Sequence, residues 1–337
     1  MKGYSRVVKS EHITRVIDVK NLPEEFIFSP VDKLYLRLET IDHDKLKIFK
    51  NHYKTIKLIE YLKKKKKEEY YLIKKCYVCS FDDLDINFLY LKYSKCIRVE
   101  VNPSRCSNKF LKIIQNFVCN GEDSKIMKIH INNNFLCNPL TVINLIEIPW
   151  KHSFERWHDP SGAGSLYAGK NQSVIVYDNY AKDKTRCKNS TRVEFKFNSN
   201  KSSPVKRFSQ FDSLSVNQDL FSSVRLPKIL IHRMATGKAE EAHGLYVEKM
   251  FQNKKCHMIS VQEAFKGKDR AFKDAFRRYR RLRVKEYVDL NEIYRRNFEI
   301  YLSKPMTSSE EEFCNTYSES LRREVLVLEL PLSNRTT

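Results

Sequence analysis

Glycine and proline are scarce, with 8 and 10 among 337 residues. Long disordered linkers are usually enriched in such residues, so extended unstructured stretches are not expected. No run is apolar enough for long enough to span a bilayer, and the N-terminal stretch does not read as a signal peptide. A membrane partner is therefore set aside, and the chain is expected in the cytoplasm. The nine cysteines are odd in number and scattered, which suits free thiols in a reducing compartment. Cys76 and Cys79 form a Cys-x-x-Cys with no second pair at zinc-ribbon spacing. They lie in an alternating, strand-like run, which argues against a metal there. Acidic residues are the last shortage: 41 face 62 lysines and arginines, for a net charge of +21.

A surface this basic favours phosphate-rich partners and makes their binding salt-dependent. The competing explanation is compositional, a lysine- and asparagine-rich chain from an AT-rich genome. The hydrophobic content of 41% is enough for a substantial core, divided between one large domain and two ordinary ones.

Along the chain, residues 1–30 show no clear period. Val31 to Leu38 alternates and reads as a strand. Asp42 to Leu62 has helical spacing, through Leu46, Phe49, Tyr53, Ile56 and Ile59, and runs into the lysines of 63–67. Strands are expected at Tyr70–Ser80, Asn87–Tyr93, Cys96–Val101 and Lys125–Asn132. Helices are expected at Ser107–Phe117 and Pro139–Ile146, with a turn at Asn102-Pro103-Ser104-Arg105. Trp150, His152, Trp157 and His158 fall in a loop-like stretch ending at Pro160-Ser161-Gly162. Residues 198–225 read as irregular with a short helix near Phe208–Phe211. Pro227–Arg233 fits either a strand or a helix start, and Ala239–Phe251 fits a helix. The order of elements is that of an α+β protein with antiparallel sheet. The domains it implies are 1–147, 148–260 and a basic C-terminal region, 261–337.

Phe265 to Lys285 concentrates positive charge. An apolar stripe including Phe272, Phe276 and Tyr279 recurs at helical spacing among Lys273, Arg277, Arg278, Arg280, Arg281 and Arg283. This predicts a helix packed by its aromatic face with cations outward, a nucleic-acid footprint. Residues 286–305 continue helically, and an acidic, serine-rich stretch leads to an apolar run, Val325–Leu330, that fits a last strand.

The stretch from Ser165 to Phe197 carries the chemistry. Val174 to Asp178 reads as a β-branched strand ending in Tyr177 and Asp178. The polar stretch Lys184–Ser190 reads as a loop. The next strand places Arg192, Glu194 and Lys196 on one face, because side chains two apart point the same way. If the strands pair, a tyrosine hydroxyl, carboxylates and cations meet on one surface, a set able to cut a phosphodiester. The same residues also suit an ordinary strand with a solvent face. The chemistry alone leaves both readings open.

The stretch resembles the Rep_trans family of replication initiation factors, found on rolling-circle plasmids and filamentous-phage-like elements. Leu166-Tyr167-Ala-Gly169, then Ser173, then Ile175-Val-Tyr177-Asp178 and Arg192-Val-Glu194 follow the family's order and approximate spacing. Arg98-Val-Glu100-Val-Asn102-Pro103 resembles an upstream family pattern. The likeness covers residues 95–200. It implies an α+β fold of two related antiparallel-sheet, Rep-like subdomains with packed helices, followed here by the basic helical segment, and it implies a homodimer. It further implies site-specific nicking and joining of a replication origin, with Tyr177 as the nucleophile that becomes linked to the 5′ phosphate. The freed 3′ hydroxyl would serve a host polymerase, with a host helicase as a further partner. Asp178 and Glu194 would bind Mg²⁺ or Mn²⁺, with Glu100 or His130 completing the shell. Arg192 and Lys196 would hold the scissile phosphate, and Lys273, Arg277, Arg278, Arg280, Arg281 and Arg283 would contact the origin duplex.

The sequence departs from the pattern twice. Asn179 stands where a lysine usually follows the Tyr-Asp pair, with Lys182 close by. Lys128-Ile-His130-Ile-Asn132 stands where Arg-x-Asp is usual, so one carboxylate is missing. No His-hydrophobic-His motif occurs, which excludes a nickase of the HUH type. A second reading is a DNA- or RNA-binding protein of a mobile element that does not cut. Tyr180, three residues beyond Tyr177, is an alternative nucleophile. A continuous strand would put the two on opposite faces.

Overall fold

A computed structural model of the chain describes residues 12–39, 53–55, 73–81, 84–92, 94, 96–119, 122–148, 154–158, 164–168, 173–216, 219–233, 241–242, 245–246, 265–279 and 282–316. In chain order the strands and α-helices are β1 (His12–Val16), β2 (Val31–Leu38), β3 (Tyr53–Thr55), β4 (Ile73–Phe81), β5 (Leu84–Leu91), β6 (Ile97–Val101), α1 (Asn108–Cys119) and β7 (Lys125–Leu136). Then come α2 (Pro139–Leu145), β8 (Phe154–His158), β9 (Gly164–Ala168), β10 (Val174–Asp178), α3 (Asn179–Lys182), β11 (Ser190–Phe197) and β12 (Pro227–Arg233). The last are α4 (Arg270–Tyr279), β13 (Leu282–Tyr287), α5 (Leu290–Ser303) and α6 (Ser308–Thr316). The class is mixed α+β with antiparallel sheet, as the sequence order implies.

The chain divides into two compact units, and neither is continuous in sequence. One comprises Met1–Phe26, Asn133–Glu194 and Asp219–Ile293; the other comprises Ile27–Asn132, Phe195–Gln218 and Tyr294–Thr337.

The second of these units is built on strands in the order β3-β4-β5-β6-β2-β7, with antiparallel neighbours. Val31, Leu34, Leu36 and Leu38 of β2 are buried, and so are Phe88 and Leu89 of β5. Against this sheet lies α1, which starts where the Ser107 hydroxyl accepts the Phe110 amide at 3.1 Å. Its Phe110, Leu111, Ile113 and Ile114 are buried while Lys109 is exposed. Leu111 and Ile114 share an apolar space with Leu36, Phe88 and Val99. Each such side chain contributes about 1.5–3 kcal/mol. Cys76 is buried in a cluster with Ile73, Val78 and Leu89.

The end of this unit holds a sequence signal that composition concealed. Thr307-Ser-Ser-Glu310 is a capping box for α6: the Thr307 amide donates to Glu310 Oε2 at 2.9 Å, and the Glu310 amide donates to Thr307 Oγ1 at 3.2 Å. The second carboxylate oxygen accepts the Ser107 amide at the start of α1, also at 2.9 Å. Glu310 is 3% exposed, so replacing it leaves the buried Ser107 amide and the more exposed Thr307 amide without this acceptor. Glu310→Ala is expected to cost about 2–4 kcal/mol, read as a lower urea midpoint at unchanged m. An unchanged midpoint would rule the cap out as a support of the fold.

The other unit carries β11-β10-β9-β8 and a three-stranded sheet, β1-β12-β13. β9 pairs antiparallel with β8 and β10, and β12 pairs antiparallel with β1 and β13. Asn133 Nδ2 donates to the Leu290 carbonyl at 2.6 Å, and the Phe221 amide donates to Asn291 Oδ1 at 2.8 Å.

Several sequence expectations need correction. The expected loop around Trp157 contains β8, which pairs with β9 from Phe154↔Ala168 to His158↔Gly164. Phe and Trp are strand formers, and the pairing outweighs the polar composition. The helix expected over 42–62 contains β3 instead, paired with β4 through Tyr53↔Cys79. Tertiary pairing there overrides helical spacing. The basic helix ends at Tyr279, and 282–287 is β13, with Arg283 opposite Ile231 of β12. Leu282, Val284 and their charged neighbours alternate with the period of a strand. Helix resumes at Leu290 because Asp289 Oδ1 accepts the amides of Asn291 and Glu292. Residues 227–233 are a strand, His12–Val16 is a strand within a stretch that showed no period, and the short turn of helix in 198–225 is the 3-10 segment Phe208–Ser215. Lys63 to Lys67, Val325 to Leu330, Arg280 and Arg281 lie outside the described residues, as do most of the expected helix 239–251 and the stretch 56–62.

Candidate active site around Tyr177

β10 is buried along Val174–Tyr177 because β9 and β11 flank it. Its register with β9 runs from Val174↔Ala168 to Tyr177↔Ser165. The strand stops at Asp178, whose Oδ1 accepts the Ala181 amide at 2.9 Å and caps the single turn of α3. The cap bends the chain so that Lys182 returns over Tyr177. Its ammonium lies 4.2 Å from the ring centroid and 3.1 Å from the phenol oxygen.

β11 supplies the rest. Arg192 and Glu194, two apart, both reach that oxygen: Arg192 Nη1 at 3.3 Å and Glu194 Oε2 at 3.2 Å. Tyr177, Arg192 and Glu194 are 4%, 4% and 3% exposed, whereas Lys182 is exposed. The direction of each bond follows from chemistry. Lysine and arginine only donate and an ionised carboxylate only accepts, so the hydroxyl gives its proton to Glu194 and receives two cationic donors. Its one donor and two acceptor positions are thereby filled. The arrangement puts a base on the proton and two positive charges on the oxygen.

The structure thus brings together Tyr177, Arg192 and Glu194 from the expected set. Asp178 is at the site's edge with its carboxylate committed to a backbone cap. Glu100 belongs to the other unit, where Arg98 pairs with it at 3.1 Å. His130 is buried on β7 in that unit, and Lys196 is half-buried near the end of β11. Lys273 is half-buried on α4; Arg277 and Arg278 are also on α4, and Arg283 is on β13. Among the described residues no group of three or more His, Cys, Asp or Glu side chains gathers. Glu194 Oε2 accepts the phenol hydroxyl, and Asp178 Oδ1 caps α3.

Two residues complete the site beyond the expected set. Lys182 stands near in sequence but reaches the tyrosine only through the turn of α3. Asn134 Oδ1 accepts Arg192 Nε at 2.7 Å and orients the guanidinium. Its sequence signal is the run Asn132-Asn133-Asn134 inside a strand, three amides that are all buried.

Tyr180 is in α3 rather than on a continued strand, so the expected opposition of strand faces does not apply to it. The loop that follows is tied to Asp183. Its carboxylate accepts the Thr185 amide at 3.1 Å, the Thr185 hydroxyl at 2.7 Å and Arg186 Nε at 3.1 Å. Partial burial pushes this carboxyl upward, but the Thr185 bonds and the Arg186 charge outweigh it and hold it below the ordinary carboxylate value. A depressed folded value stabilises the protein above the unfolded value of about 3.9, and that contribution is lost as pH falls through the folded value. Asp183→Asn is therefore expected to destabilise the loop at pH 7, read by amide exchange over 183–190, and the gap to wild type should close below about pH 4. A gap independent of pH would assign the effect to something other than this carboxylate.

No protein-family model matches the sequence, and no curated protein matches it. Among solved structures, a rolling circle replication initiator protein from Geobacillus stearothermophilus is similar at a TM-score of 0.36 and 12% identity. The match covers 66% of this chain and 91% of that one.

Proposed function

We propose that this chain is a rolling-circle replication initiator, a site-specific DNA-nicking and joining enzyme that works through a phosphotyrosine at Tyr177. The observation that carries the reading is the buried Tyr177 hydroxyl held between Glu194, Lys182 and Arg192. Its place in a motif order resembling Rep_trans names the substrate.

In the proposed reaction Glu194 takes the phenol proton as the oxygen attacks the scissile phosphorus. The new bond is tyrosine O–P, and the bond that breaks is P–O3′. The 3′ oxygen leaves as a hydroxyl with a proton from solvent, and the 5′ phosphate stays on the tyrosine. Lys182 and Arg192 offset the charge that builds on the phosphoryl oxygens. Lys182 is the exposed member, so the phosphate approaches from its side. The reverse attack by a 3′ hydroxyl rejoins the strand without ATP. If Mg²⁺ or Mn²⁺ binds as the resemblance implies, Asp178 and Glu194 would hold it, and it would supply further positive charge to the phosphate. A homodimer, the origin duplex on the cations of α4 and β13, and a host helicase and polymerase complete the proposal.

The test is to incubate the purified protein with supercoiled DNA of its own element, in Mn²⁺ or in EDTA, and resolve the products on a denaturing gel. Relaxed plasmid with protein on a 5′ end, and the adduct mapped to the peptide containing Tyr177, are expected. Equal nicking in EDTA would remove the metal from the reading. Binding with no cleavage in either condition would favour the alternative, a non-cutting DNA- or RNA-binding protein. The carboxylate missing from the Lys128-Ile-His130-Ile-Asn132 stretch is what supports that alternative.

A further inference from the structure

The exposed charge beside Tyr177 is all of one sign because its acids are engaged inward. Asp178 caps α3, and Asp183 holds Thr185 and Arg186. What the segment displays is Lys182, Lys184 and Lys188, all exposed, around the half-exposed Tyr180. Two of these ammonium groups lie near the Tyr180 ring: Lys184 at 4.4 Å from its centroid and Lys188 at 5.9 Å. At an exposed site a cation over a ring is worth about 0.5–1 kcal/mol. A stacked base is worth about 1–3 kcal/mol, so a base would displace a lysine from the ring.

The display is ordered. The Ser190 hydroxyl donates to the Cys187 carbonyl at 2.6 Å, and the Asn189 carbonyl accepts the Cys137 amide at 3.0 Å. Asn189 has φ 56°, the one positive value at a non-glycine residue among those described. Asparagine tolerates that conformation better than most residues. Lys188 also borders an open depression of about 610 Å³, lined in part by Asn138, Thr141, Asn189 and the ion pair of Lys20 with Asp18. That volume lies in the range of small-ligand sites and accommodates a nucleotide.

We propose that Tyr180, Lys184 and Lys188 form a subsite for single-stranded DNA flanking the phosphate cut at Tyr177. A base stacks on the Tyr180 ring, the displaced lysines take the adjoining phosphates, and the next nucleotide enters the depression beside Lys188. The subsite rests on the nicking reading for its placement but not for its measurement. Tyr180 is then a substrate-binding aromatic, which explains a second tyrosine three residues from the nucleophile without giving it a covalent role.

The experiment measures binding of fluorescently labelled oligo(dT) to the full chain by anisotropy across a salt series. Tyr180→Leu is expected to weaken binding by about 5- to 150-fold, and Tyr180→Trp to retain it. Replacing Lys184 and Lys188 together by alanine should reduce the slope of log K against log salt by about 1.4, at about 0.7 for each lost phosphate contact on a single strand. Oligo(dT) binding by Tyr180→Leu equal to wild type would overturn the subsite, whatever the lysine pair does. So would Tyr180→Trp binding as weakly as Tyr180→Leu, because an aromatic face would then not be what binds. Loss of binding in Tyr180→Leu, alongside a wild type that binds but never nicks, leaves the subsite standing and removes the nicking reading.

Discussion

Tyr177→Phe is expected to fold, to bind DNA with wild-type affinity, and to form no covalent adduct. The ring keeps its buried place between β9 and β11, so packing is retained. What is lost is one oxygen and the three hydrogen bonds made to it by Lys182, Arg192 and Glu194. Removal of that oxygen lets the opposite charges of Glu194 and Arg192 approach each other. The stability change should therefore stay within about 1–2 kcal/mol. The rate change should be far larger. A covalent mechanism without its nucleophile retains only what binding and charge stabilisation supply to a water attack, and a fall of about 10⁴-fold or more is expected. The denaturing gel decides the matter. A wild-type yield of adduct in Tyr177→Phe would exclude the mechanism. Loss confined to Tyr180→Phe would keep the activity, move the nucleophile, and contradict the geometry around Tyr177.

The second large effect is expected in stability. Arg192 is a buried cation, bonded through Nε to Asn134 and through Nη1 to Tyr177. Arg192→Leu keeps the length of the stem and deletes the charge. It leaves Asn134 Oδ1 and the phenol oxygen each short of a donor, and it leaves the buried Glu194 with less positive charge near it. Breaking a buried charged network from one side costs about 3–5 kcal/mol, visible as a large drop in the urea midpoint. The companion Glu194→Gln tests the cause. If charge imbalance is the cause, the double variant Arg192→Leu with Glu194→Gln should be more stable than the sum of the two single changes implies, with a coupling of about 1–3 kcal/mol. Strict additivity would mean that Arg192 supports the strand by packing alone. Glu194→Gln by itself should also slow nicking by about 10²–10⁴-fold, since an amide accepts the phenol hydrogen bond without taking the proton.

Period and punctuation made much of the molecule legible beforehand. The alternation in 31–38 and in 174–178 became β2 and β10, and the apolar spacing in 107–117 became α1, because each signal arises from neighbours along the chain. Arg192 and Glu194 were expected on one face two residues apart, and both reach Tyr177 as that period requires. Other elements were hidden because partners far off in sequence decide them. Residues 53–55 carry helical spacing, yet Cys79, Val78 and Tyr77 stand opposite them in a ladder. Residues 282–287 continue a basic helical pattern, yet β12 draws them into a sheet. Thr307 and Glu310 were legible as a capping box and were masked by an acidic, serine-rich surround.

By itself the sequence determined the strongly basic charge, the α+β class and the tyrosine–carboxylate–cation set, since these depend on composition, local period and residue chemistry. The tertiary structure alone decided which of those groups share an atom. Lys182 reaches the Tyr177 oxygen because the Asp178 cap turns the chain through α3, and Asn134 reaches Arg192 from a strand 58 residues earlier. Hydrogen bonds act over about 3 Å. The pairing of strands and the bend of one capped turn set distances on that scale, and no pattern along the chain encodes them.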